Sequence, residues 1–196
     1  KKYHNTCPVM LSSSIQATMV GRYAGSEYGK SKKAGEDMLF AYGQEVGAEI
    51  YIYRFPNVFG KWCRPNYNSA VATFCHNIAH GLPIQVNDRS TVMHLVYIDD
   101  VVEELLQALD RHPHVNLDGY CFVPAVHEVT LGEIVNLLYS FRESRNNFMI
   151  PNLCEGSFEK KLYSTYLSYL PEQEFSYPLT MHVDERGSFT EILKSA

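Results

Sequence analysis

Two apolar runs, separated by a segment of helical character, constrain the fold of this chain more than any other feature. Residues 9–11 are apolar and lead into three serines, and residues 50–53 form a second continuous apolar run. The segment from Glu27 to Gly47 has apolar side chains at helical spacing, which predicts a helix that Gly47 ends. The apolar stripe consists of Ala34, Met38, Leu39, Tyr42 and Val46. The order strand, helix, strand predicts a right-handed crossover between parallel strands in an α/β fold.

The start of the predicted helix brings a phenol and an ammonium together. Tyr28 and Lys32 are four residues apart, so a helix projects both side chains from one face. A nearby cation favours the charged form of a tyrosine, which can then exchange a proton with a substrate oxygen near neutral pH. A serine hydroxyl at the end of the preceding strand is placed to hold that same oxygen. The stretch therefore predicts proton-transfer chemistry.

A second motif follows the second apolar run directly. Residues 54–60 read Arg-Phe-Pro-Asn-Val-Phe-Gly. In open parallel sheets, ligands bind beyond the carboxyl ends of the strands. Pro56 removes a backbone donor and fixes the turn, and Asn57 supplies both a donor and an acceptor. The segment is suited to line a binding site, and the plain alternative is an exit from the strand into a loop.

These two motifs resemble those of the extended short-chain dehydrogenase/reductase family. A serine at a strand end followed by Tyr-x-x-x-Lys is similar to its catalytic motif, and residues 54–60 resemble the segment its members place between nicotinamide and sugar nucleotide. The resemblance implies that Ser14 orients a substrate carbonyl and that Tyr28 protonates it. It implies that Lys32 assists the tyrosine and holds the ribose hydroxyls. Ser13 is the alternative to Ser14, because the serine run allows a slip of one residue.

The same resemblance implies further binding residues. For an NADP or NAD cofactor they are Tyr28, Lys32, Phe55 and Pro56, and for the substrate they are Asn57, Arg64, Asn68 and Arg89. Many relatives carry an arginine that meets the nucleotide diphosphate at a place where residues 93–95 are Met-His-Leu in this chain. Either Arg64 or Arg89 is expected to substitute, since a guanidinium matches phosphate well.

Over nearly its whole length the chain resembles the CapF-type enzymes of capsular polysaccharide synthesis, which join a reductase domain to a C-terminal cupin. Residues 12–18, 61–63, 163–170 and 184–191 carry this likeness. It implies NADP(H)-dependent reduction of a 4-keto UDP-sugar of the 4-keto-6-deoxy-hexosamine type. It also implies that the full-length enzyme is a homodimer.

The resemblance divides the chain at residue 177. Residues 1–177 are expected to form the second half of a Rossmann-like doubly wound parallel sheet with a small substrate-binding subdomain. Residues 178–196 are expected to form a hairpin, the first strands of an incomplete cupin. No Gly-x-x-Gly-x-x-Gly loop occurs in the chain, and in the family this loop lets amides at a helix start hold the cofactor pyrophosphate. We therefore expect this chain to be an internal fragment that lacks the main pyrophosphate-binding loop for the cofactor.

Alternative functions fit the same motifs. A sugar-nucleotide epimerase of the same family uses the same catalytic residues. A dehydratase is disfavoured, because it needs a carboxylate pair near the serine, where this chain has Ile15 and Gln16. For this chain alone, the missing glycine loop favours a non-catalytic piece that binds a sugar nucleotide.

Composition and charge argue against several classes of partner. The formal net charge is −5 with no basic block, which disfavours nucleic acid and anionic membrane. No apolar run is long enough to span a bilayer, and residues 1–5 lack the apolar core of a signal peptide. The five cysteines form no Cys-x-x-Cys pair, and His76 and His80 lack a third ligand, so no metal site is predicted. These features predict a cytoplasmic protein with reduced thiols.

Several local predictions concern the second half of the chain. Residues 83–86 and 92–98 are expected to be strands. Asp99 or Asp100 is expected either to cap the next helix or to contact the sugar nucleotide. The apolar stripe of that helix consists of Val102, Leu105, Leu106 and Leu109. Residues 130–133 have the Thr-x-x-Glu pattern of a capping box, which predicts another helix start.

Overall fold

A computed structural model describes residues 7–151 and 153–194 of the chain. The strands are β1 (Val9–Ser14), β2 (Ile50–Phe55), β3 (Asn57–Phe59), β4 (Val92–Tyr97), β5 (Val126–Thr130), β6 (Met181–Asp184) and β7 (Gly187–Thr190). The α-helices are α1 (Glu27–Val46), α2 (Ala70–Ala79), α3 (Ile98–Leu109), α4 (Leu131–Asn147) and α5 (Phe158–Leu167). The sheets have the strand orders β1-β2, β3-β4-β5 and β6-β7. Residues 1–5, on which the signal-peptide expectation rests, lie outside the described part.

The chain divides into two compact units. The first comprises Leu95–Val126 together with the described residues up to Val58. The second comprises Phe59–His94 together with the described residues from His127 onward. Among the described residues, no helix has both the length and the apolarity that crossing a membrane requires.

The predicted strand–helix–strand order is confirmed in the first unit. β1 and β2 are parallel, and the serines continue the β1 ladder until Ser14 lies opposite Phe55. α1 connects the two strands and begins at Ser26, whose hydroxyl accepts a hydrogen bond from the Gly29 amide at 3.0 Å. It ends at Gly47, which adopts the left-handed conformation with φ of 72°. Both predicted ends of this helix are therefore correct.

The first unit has its core around β2 and α3. Its buried residues are Tyr51, Tyr53, Phe55, Val96, Val101, Ala108, Cys121 and Val123. The Cys121 amide donates a 2.8 Å hydrogen bond to the Ile52 carbonyl, so this segment extends the sheet beside β2. The core thus covers the strand that follows α1, as expected for a buried parallel strand.

The predicted apolar stripe of α1 is buried only in part, because Leu39, Tyr42 and Val46 are half-buried but Ala34 is exposed. Met38 is 72% exposed, whereas the buried residues of this helix are Gly29, Glu36 and Gly43. A Cβ atom on Gly43 would lie 2.5 Å from Cγ1 of Ile50, so α1 approaches the strands through its glycines. Close approach of the helix backbone, rather than a row of large apolar side chains, decides which face is buried.

The predicted features of α3 need two corrections. Leu105 packs against the core as predicted, but Leu106 and Leu109 are 57% and 65% exposed. The fully buried residues of the helix are Val101, Glu104 and Ala108. The periodicity is that of a helix in either case, but it does not select the face. Neither aspartate caps the helix, because the N-cap residue is Tyr97 and it has no side-chain capping bond. Both aspartates lie in the first turn, where the helix dipole favours a negative charge.

The second unit is built on the helices α2, α4 and α5, which pack against one another. The predicted capping box is confirmed: the Thr130 hydroxyl accepts from the Glu133 amide at 3.1 Å, and the Glu133 carboxylate accepts from the Thr130 amide at 2.7 Å. The predicted strand at residues 83–86 is wrong. Pro83 has no amide to give to a ladder, and its carbonyl accepts instead from the side chain of Asn77 at 3.1 Å.

The predicted hairpin near the C-terminus is confirmed. β6 and β7 are antiparallel, with Met181 opposite Thr190 and Asp184 opposite Gly187. Val183 and Phe189 are 67% and 65% exposed. The hairpin is therefore formed without burying its apolar side chains among the described residues.

Candidate active site

Tyr28 and Lys32 lie on the first turns of α1, as predicted. Nζ of Lys32 is 5.7 Å from the centre of the Tyr28 ring and donates a 3.1 Å hydrogen bond to the carbonyl of Ser12. An ammonium has three N–H donors, so this bond leaves capacity for other acceptors. The Tyr28 side chain is 52% exposed, which leaves the phenol accessible to a ligand. The helix thus presents an accessible phenol beside a cation that is anchored to β1.

The two candidate serines have different surroundings. Ser13 is buried, and its hydroxyl donates a 2.5 Å hydrogen bond to Glu36. Ser14 is half-buried, and its hydroxyl oxygen accepts a 3.2 Å hydrogen bond from the Gln16 amide. That bond uses a lone pair of Ser14 and leaves its own O–H as a donor. The geometry therefore favours Ser14 as the residue that can donate to a substrate oxygen.

Glu36 is the centre of a buried polar cluster that the sequence analysis missed. Its side chain is fully buried, and Arg54 approaches it with Nε at 3.0 Å and Nη2 at 2.6 Å. The Tyr120 hydroxyl donates to the same carboxylate at 3.2 Å. Burial raises the pKa of the Glu36 carboxyl, but the hydrogen bonds and charge of Arg54, with two hydroxyl donors, outweigh it and keep the pKa below its usual range.

A local signal for this cluster was present in the sequence. Glu36 follows Lys32 by four residues, so a helix that aligns Tyr28 with Lys32 also aligns Glu36. Arg54 lies opposite Ser13 in the β1–β2 register, which places it beside the same carboxylate. The hydrogen bonds that Arg54 donates to Glu36 raise the pKa of the Arg54 guanidinium further, so both groups are charged at neutral pH.

The second predicted motif begins inside β2. Arg54 and Phe55 belong to the strand, and the Phe55 ring is buried, stacked on Tyr53 with ring centres 5.4 Å apart. A cofactor contact at Phe55 would therefore involve its backbone. Pro56 is half-buried and Asn57 is exposed, so both can meet a ligand directly.

The second unit contains a cavity of about 490 Å³. Its polar lining residues are Asn66, Asn68, Ser69, Thr73, Gln85, Asn87, Asp88 and Thr91. Tyr67 and Phe74 add aromatic surface. A concave site with amides, hydroxyls and aromatic faces suits a polar ligand that carries a ring. The cavity includes Asn68, one of the predicted substrate residues.

The two candidate arginines differ in how far they are already bound. Nη2 of Arg89 donates to the Gly132 carbonyl at 3.2 Å and to the Asn136 side chain at 2.6 Å. Arg64 is exposed, and its guanidinium carbon lies 5.5 Å from the centre of the Tyr67 ring. Arg89 therefore supports the start of α4, whereas Arg64 lies next to a residue of the cavity.

His76 on α2 and His80, which caps the C-terminal end of this helix, contact each other. The rings of His76 and His80 are 4.1 Å apart, and Nδ1 of His80 lies 2.8 Å from the His76 carbonyl oxygen. Burial, followed by the charge of His80, lowers the pKa of His76. In the described ranges, no three histidine, cysteine or carboxylate side chains are grouped as metal ligands would be.

A family comparison places this geometry in context. The model of the NAD dependent epimerase/dehydratase family matches residues 10–117, which is more than half of the chain. The chain belongs to this family. The match includes the strand–helix–strand unit with Tyr28 and Lys32, so the predicted resemblance is confirmed.

Individual proteins are also similar to the chain. It is 47% identical over 191 residues to the UDP-2-acetamido-2,6-beta-L-arabino-hexul-4-ose reductase of Pseudomonas aeruginosa, covering 96% of this chain and 49% of that protein. It superposes with a TM-score of 0.88 and 54% identity on the capsular polysaccharide assembling protein CapF of Staphylococcus aureus, covering 95% of this chain and 50% of CapF. The chain thus spans about half the length of these two relatives.

A more distant structure supports the fold. The UDP-glucose 4-epimerase of Thermus thermophilus, solved with NAD, superposes with a TM-score of 0.61 at 20% identity. The matched part covers 83% of this chain and 63% of the epimerase. The predicted α/β class, with parallel strands as in Rossmann-like epimerases, is confirmed.

Proposed function

We propose that the chain supplies the catalytic residues of an NADP(H)- or NAD(H)-dependent reductase. Its substrate is a 4-keto sugar nucleotide of the UDP-4-keto-6-deoxy-hexosamine type, in the synthesis of capsular or surface polysaccharide precursors. The observation that carries the proposal is the accessible Tyr28 beside Lys32 in a chain 47% identical to a UDP-hexulose reductase. The likeness to CapF supports the capsular context.

The reaction converts a ketone into a secondary alcohol, so one hydride must reach carbon and one proton must reach oxygen. A bound nicotinamide cofactor supplies the hydride. The Ser14 O–H holds the carbonyl oxygen, and the Tyr28 hydroxyl gives its proton to that oxygen as negative charge develops there. Because Tyr28 is half exposed, solvent can return the proton afterwards. The Lys32 ammonium lies beside the ring, where its positive charge attracts the negative charge that the transfer leaves on the phenol oxygen.

The residues of the first unit fit a nicotinamide cofactor in part. Lys32 has donors beyond its bond to Ser12, and ribose hydroxyls are suitable acceptors. Pro56 and the Phe55 backbone are the remaining contacts in this proposal. Because the chain has no glycine-rich loop, another segment would hold the pyrophosphate. These contacts accommodate NADP and NAD equally.

The cavity of the second unit is the proposed binding region for the UDP part of the substrate. Asn68 lines it, and the exposed Arg64 is the preferred partner for the diphosphate. Arg89 is the less favoured candidate, because its guanidinium already bonds to Gly132 and Asn136. Asn57, which is exposed after β2, is proposed as a further sugar contact.

An epimerase of the same family is the second candidate, because it would use the same three catalytic residues. The two reactions differ in stoichiometry: a reductase consumes one reduced cofactor per sugar, and an epimerase consumes none. The test supplies the complete gene product that contains this sequence with a UDP-4-keto-6-deoxy-hexosamine and NADPH or NADH. Equal loss of cofactor and ketone supports the reductase, whereas a changed sugar configuration without cofactor loss contradicts it.

The wider setting of the chain is also proposed. Residues 1–177 would be the C-terminal part of the reductase domain and residues 178–196 the first strands of a cupin, in a cytoplasmic homodimer. The exposed apolar side chains of Val183 and Phe189 support a hairpin that packs on further chain. The isolated 196-residue chain is then expected to bind nicotinamide cofactor weakly and to lack reductase activity. Tight cofactor binding and turnover by a monomer, measured by titration and light scattering, would contradict this.

A further inference from the structure

We infer that the buried Glu36–Arg54 pair, acting through Ser13, holds the end of β1 in the geometry that the reductase requires. Glu36 and Arg54 are therefore positioning residues, and this role rests on the proposed function. They touch neither substrate nor cofactor in this scheme. Their effect is on the placement of Ser14 and Lys32.

One face of α1 is tied to two consecutive residues of β1. Lys32 donates to the Ser12 carbonyl at 3.1 Å, and one turn later Glu36 accepts from the Ser13 hydroxyl at 2.5 Å. The next residue of the strand is Ser14, which donates to the substrate in the proposed reaction. Two adjacent anchors between helix and strand fix the direction in which Ser14 leaves the strand, because little backbone freedom remains at that point.

Arg54, on the neighbouring strand β2, holds the Glu36 carboxylate from a second side. It lies opposite Ser13 in the parallel register and holds Glu36 with two nitrogens, at 3.0 and 2.6 Å. Its Nη2 also lies 2.7 Å from the Tyr120 hydroxyl. The carboxylate thus links α1, to which it belongs, to β1, β2 and the segment that carries Tyr120. A two-pronged guanidinium–carboxylate pair fixes orientation more strictly than a single hydrogen bond.

Energetics favour a positioning role over a stabilising one. Burying a carboxylate costs desolvation free energy, and the attraction within a buried ion pair often does no more than offset that cost. Well-packed apolar residues at the same positions would therefore give similar stability. What the charged cluster adds is one geometry, in which the Glu36 carboxylate accepts hydrogen bonds from Ser13, Arg54 and Tyr120. At this position in the fold, that geometry determines where the end of β1 lies relative to Tyr28.

The first unit offers a matched control. Glu104 on α3 is also buried, and it accepts from the Tyr53 hydroxyl at 2.8 Å and from the His114 amide at 2.9 Å. None of these partners belongs to β1 or to the start of α1. Glu104→Gln therefore reports what removal of a buried, hydrogen-bonded carboxylate does to this unit without touching the proposed support.

The experiment compares Glu36→Gln, Ser13→Ala and Glu104→Gln in the complete gene product, with kcat, KM and thermal stability measured for each. We expect kcat to fall by about 10- to 100-fold in the first two variants, because a displacement of about 1 Å is enough for such a loss. KM for the sugar nucleotide stays within about twofold in both, since the binding residues are untouched. Glu104→Gln keeps its kcat despite lower stability. Ser13→Thr, which retains the hydroxyl, recovers most of the rate.

Each outcome decides the matter. If Glu36→Gln and Glu104→Gln lose kcat equally, and in proportion to their loss of thermal stability, the cluster contributes only to stability. That result overturns the inference. An unchanged kcat in Ser13→Ala does the same, and this variant remains informative if Glu36→Gln fails to fold. A wild-type protein that consumes no reduced cofactor overturns the proposed function, and this role with it. If the wild type is an active reductase and Glu36→Gln has the same kcat, the positioning role alone is overturned.

Discussion

The ammonium of Lys32 lies 5.7 Å from the centre of the Tyr28 ring, one helical turn away on α1. The position of this ammonium is restrained, because it donates a 3.1 Å hydrogen bond to the Ser12 carbonyl. The phenol itself stays accessible. Lys32 is thus bonded to β1, whereas Tyr28 remains open to a ligand. Substitutions of these two residues should therefore change different steps of the reaction.

Replacing Tyr28 by Phe should abolish reduction and spare substrate binding. The ring and its packing remain, and only the proton donor is lost, which typically costs about 10²- to 10⁴-fold in rate. Turnover and substrate affinity are measured on the complete gene product, with Tyr42→Phe on the same helix as the control. A Tyr28→Phe enzyme of normal rate would remove Tyr28 from the mechanism.

Replacing Lys32 by Ala should weaken cofactor binding as well as turnover. Loss of charged hydrogen bonds to the ribose corresponds to about 10- to 100-fold in affinity. The control is Lys30→Ala, since Lys30 on the same helix bonds to Glu27 at 2.6 Å and faces solvent. Titration with NADPH and NADH measures the effect. An unchanged dissociation constant would reduce Lys32 to an anchor for β1.

The two arginines should separate into a ligand contact and a structural support. Arg64→Ala should raise the KM for the UDP-sugar by about 10-fold or more without a change in thermal stability, as expected for a charged contact to phosphate. Arg89→Ala should instead lower stability, because it removes bonds to Gly132 and Asn136. The exposed Arg186→Ala serves as the control. The reverse pattern would assign the diphosphate to Arg89.

The stability contributed by Glu36 should depend on pH in one direction. Its folded-state pKa lies below the ordinary value of 4.5, so the unfolded chain binds the proton more readily. The contribution is complete above pH 4.5 and is lost as the pH falls through the folded-state pKa. Unfolding free energies of wild type and Glu36→Gln should therefore differ at neutral pH and converge in acid. A gap that is constant with pH would contradict the assignment.

Sequence reasoning succeeded where the determinants are local. The alignment of Tyr28 with Lys32 follows from helical spacing alone, and the capping box at Thr130 needs only four residues. The end of α1 at Gly47 follows from a single residue that tolerates positive φ. Each of these predictions is independent of what the element packs against.

Sequence reasoning failed where residues distant in the chain determine which side chains are buried. The partners of Glu36 come from β1, β2 and a segment 84 residues later, so helical spacing aligns Glu36 with Lys32 but does not show that its carboxylate is buried. The apolar residues of α1 and α3 have helical period, but the period fits several faces. The buried residues of α1 are instead Gly29, Glu36 and Gly43, and at Gly43 the helix backbone lies against the side chain of Ile50.

The glycines of α1 provide the last prediction, because two of them differ only in their surroundings. A Cβ on Gly29 would lie 2.4 Å from the Gln16 carbonyl oxygen and 2.9 Å from the sulfur of Met19, whereas a Cβ on Gly35 would have nothing within 4 Å. Alanine in a helix is favoured over glycine by about 0.5–1 kcal/mol. Gly35→Ala should therefore stabilise the protein by about that amount and leave its rate unchanged.

Gly29→Ala should do the opposite. The added methyl pushes on a backbone oxygen that cannot rotate away, and overpacking of this kind costs about 1–3 kcal/mol. The displaced turn, Ile15–Thr18, directly follows Ser14, so the rate should fall with the stability. Thermal unfolding and turnover of the two variants, measured side by side, test this. If Gly29→Ala matched Gly35→Ala in both, the close contact between α1 and the turn after β1 would be refuted.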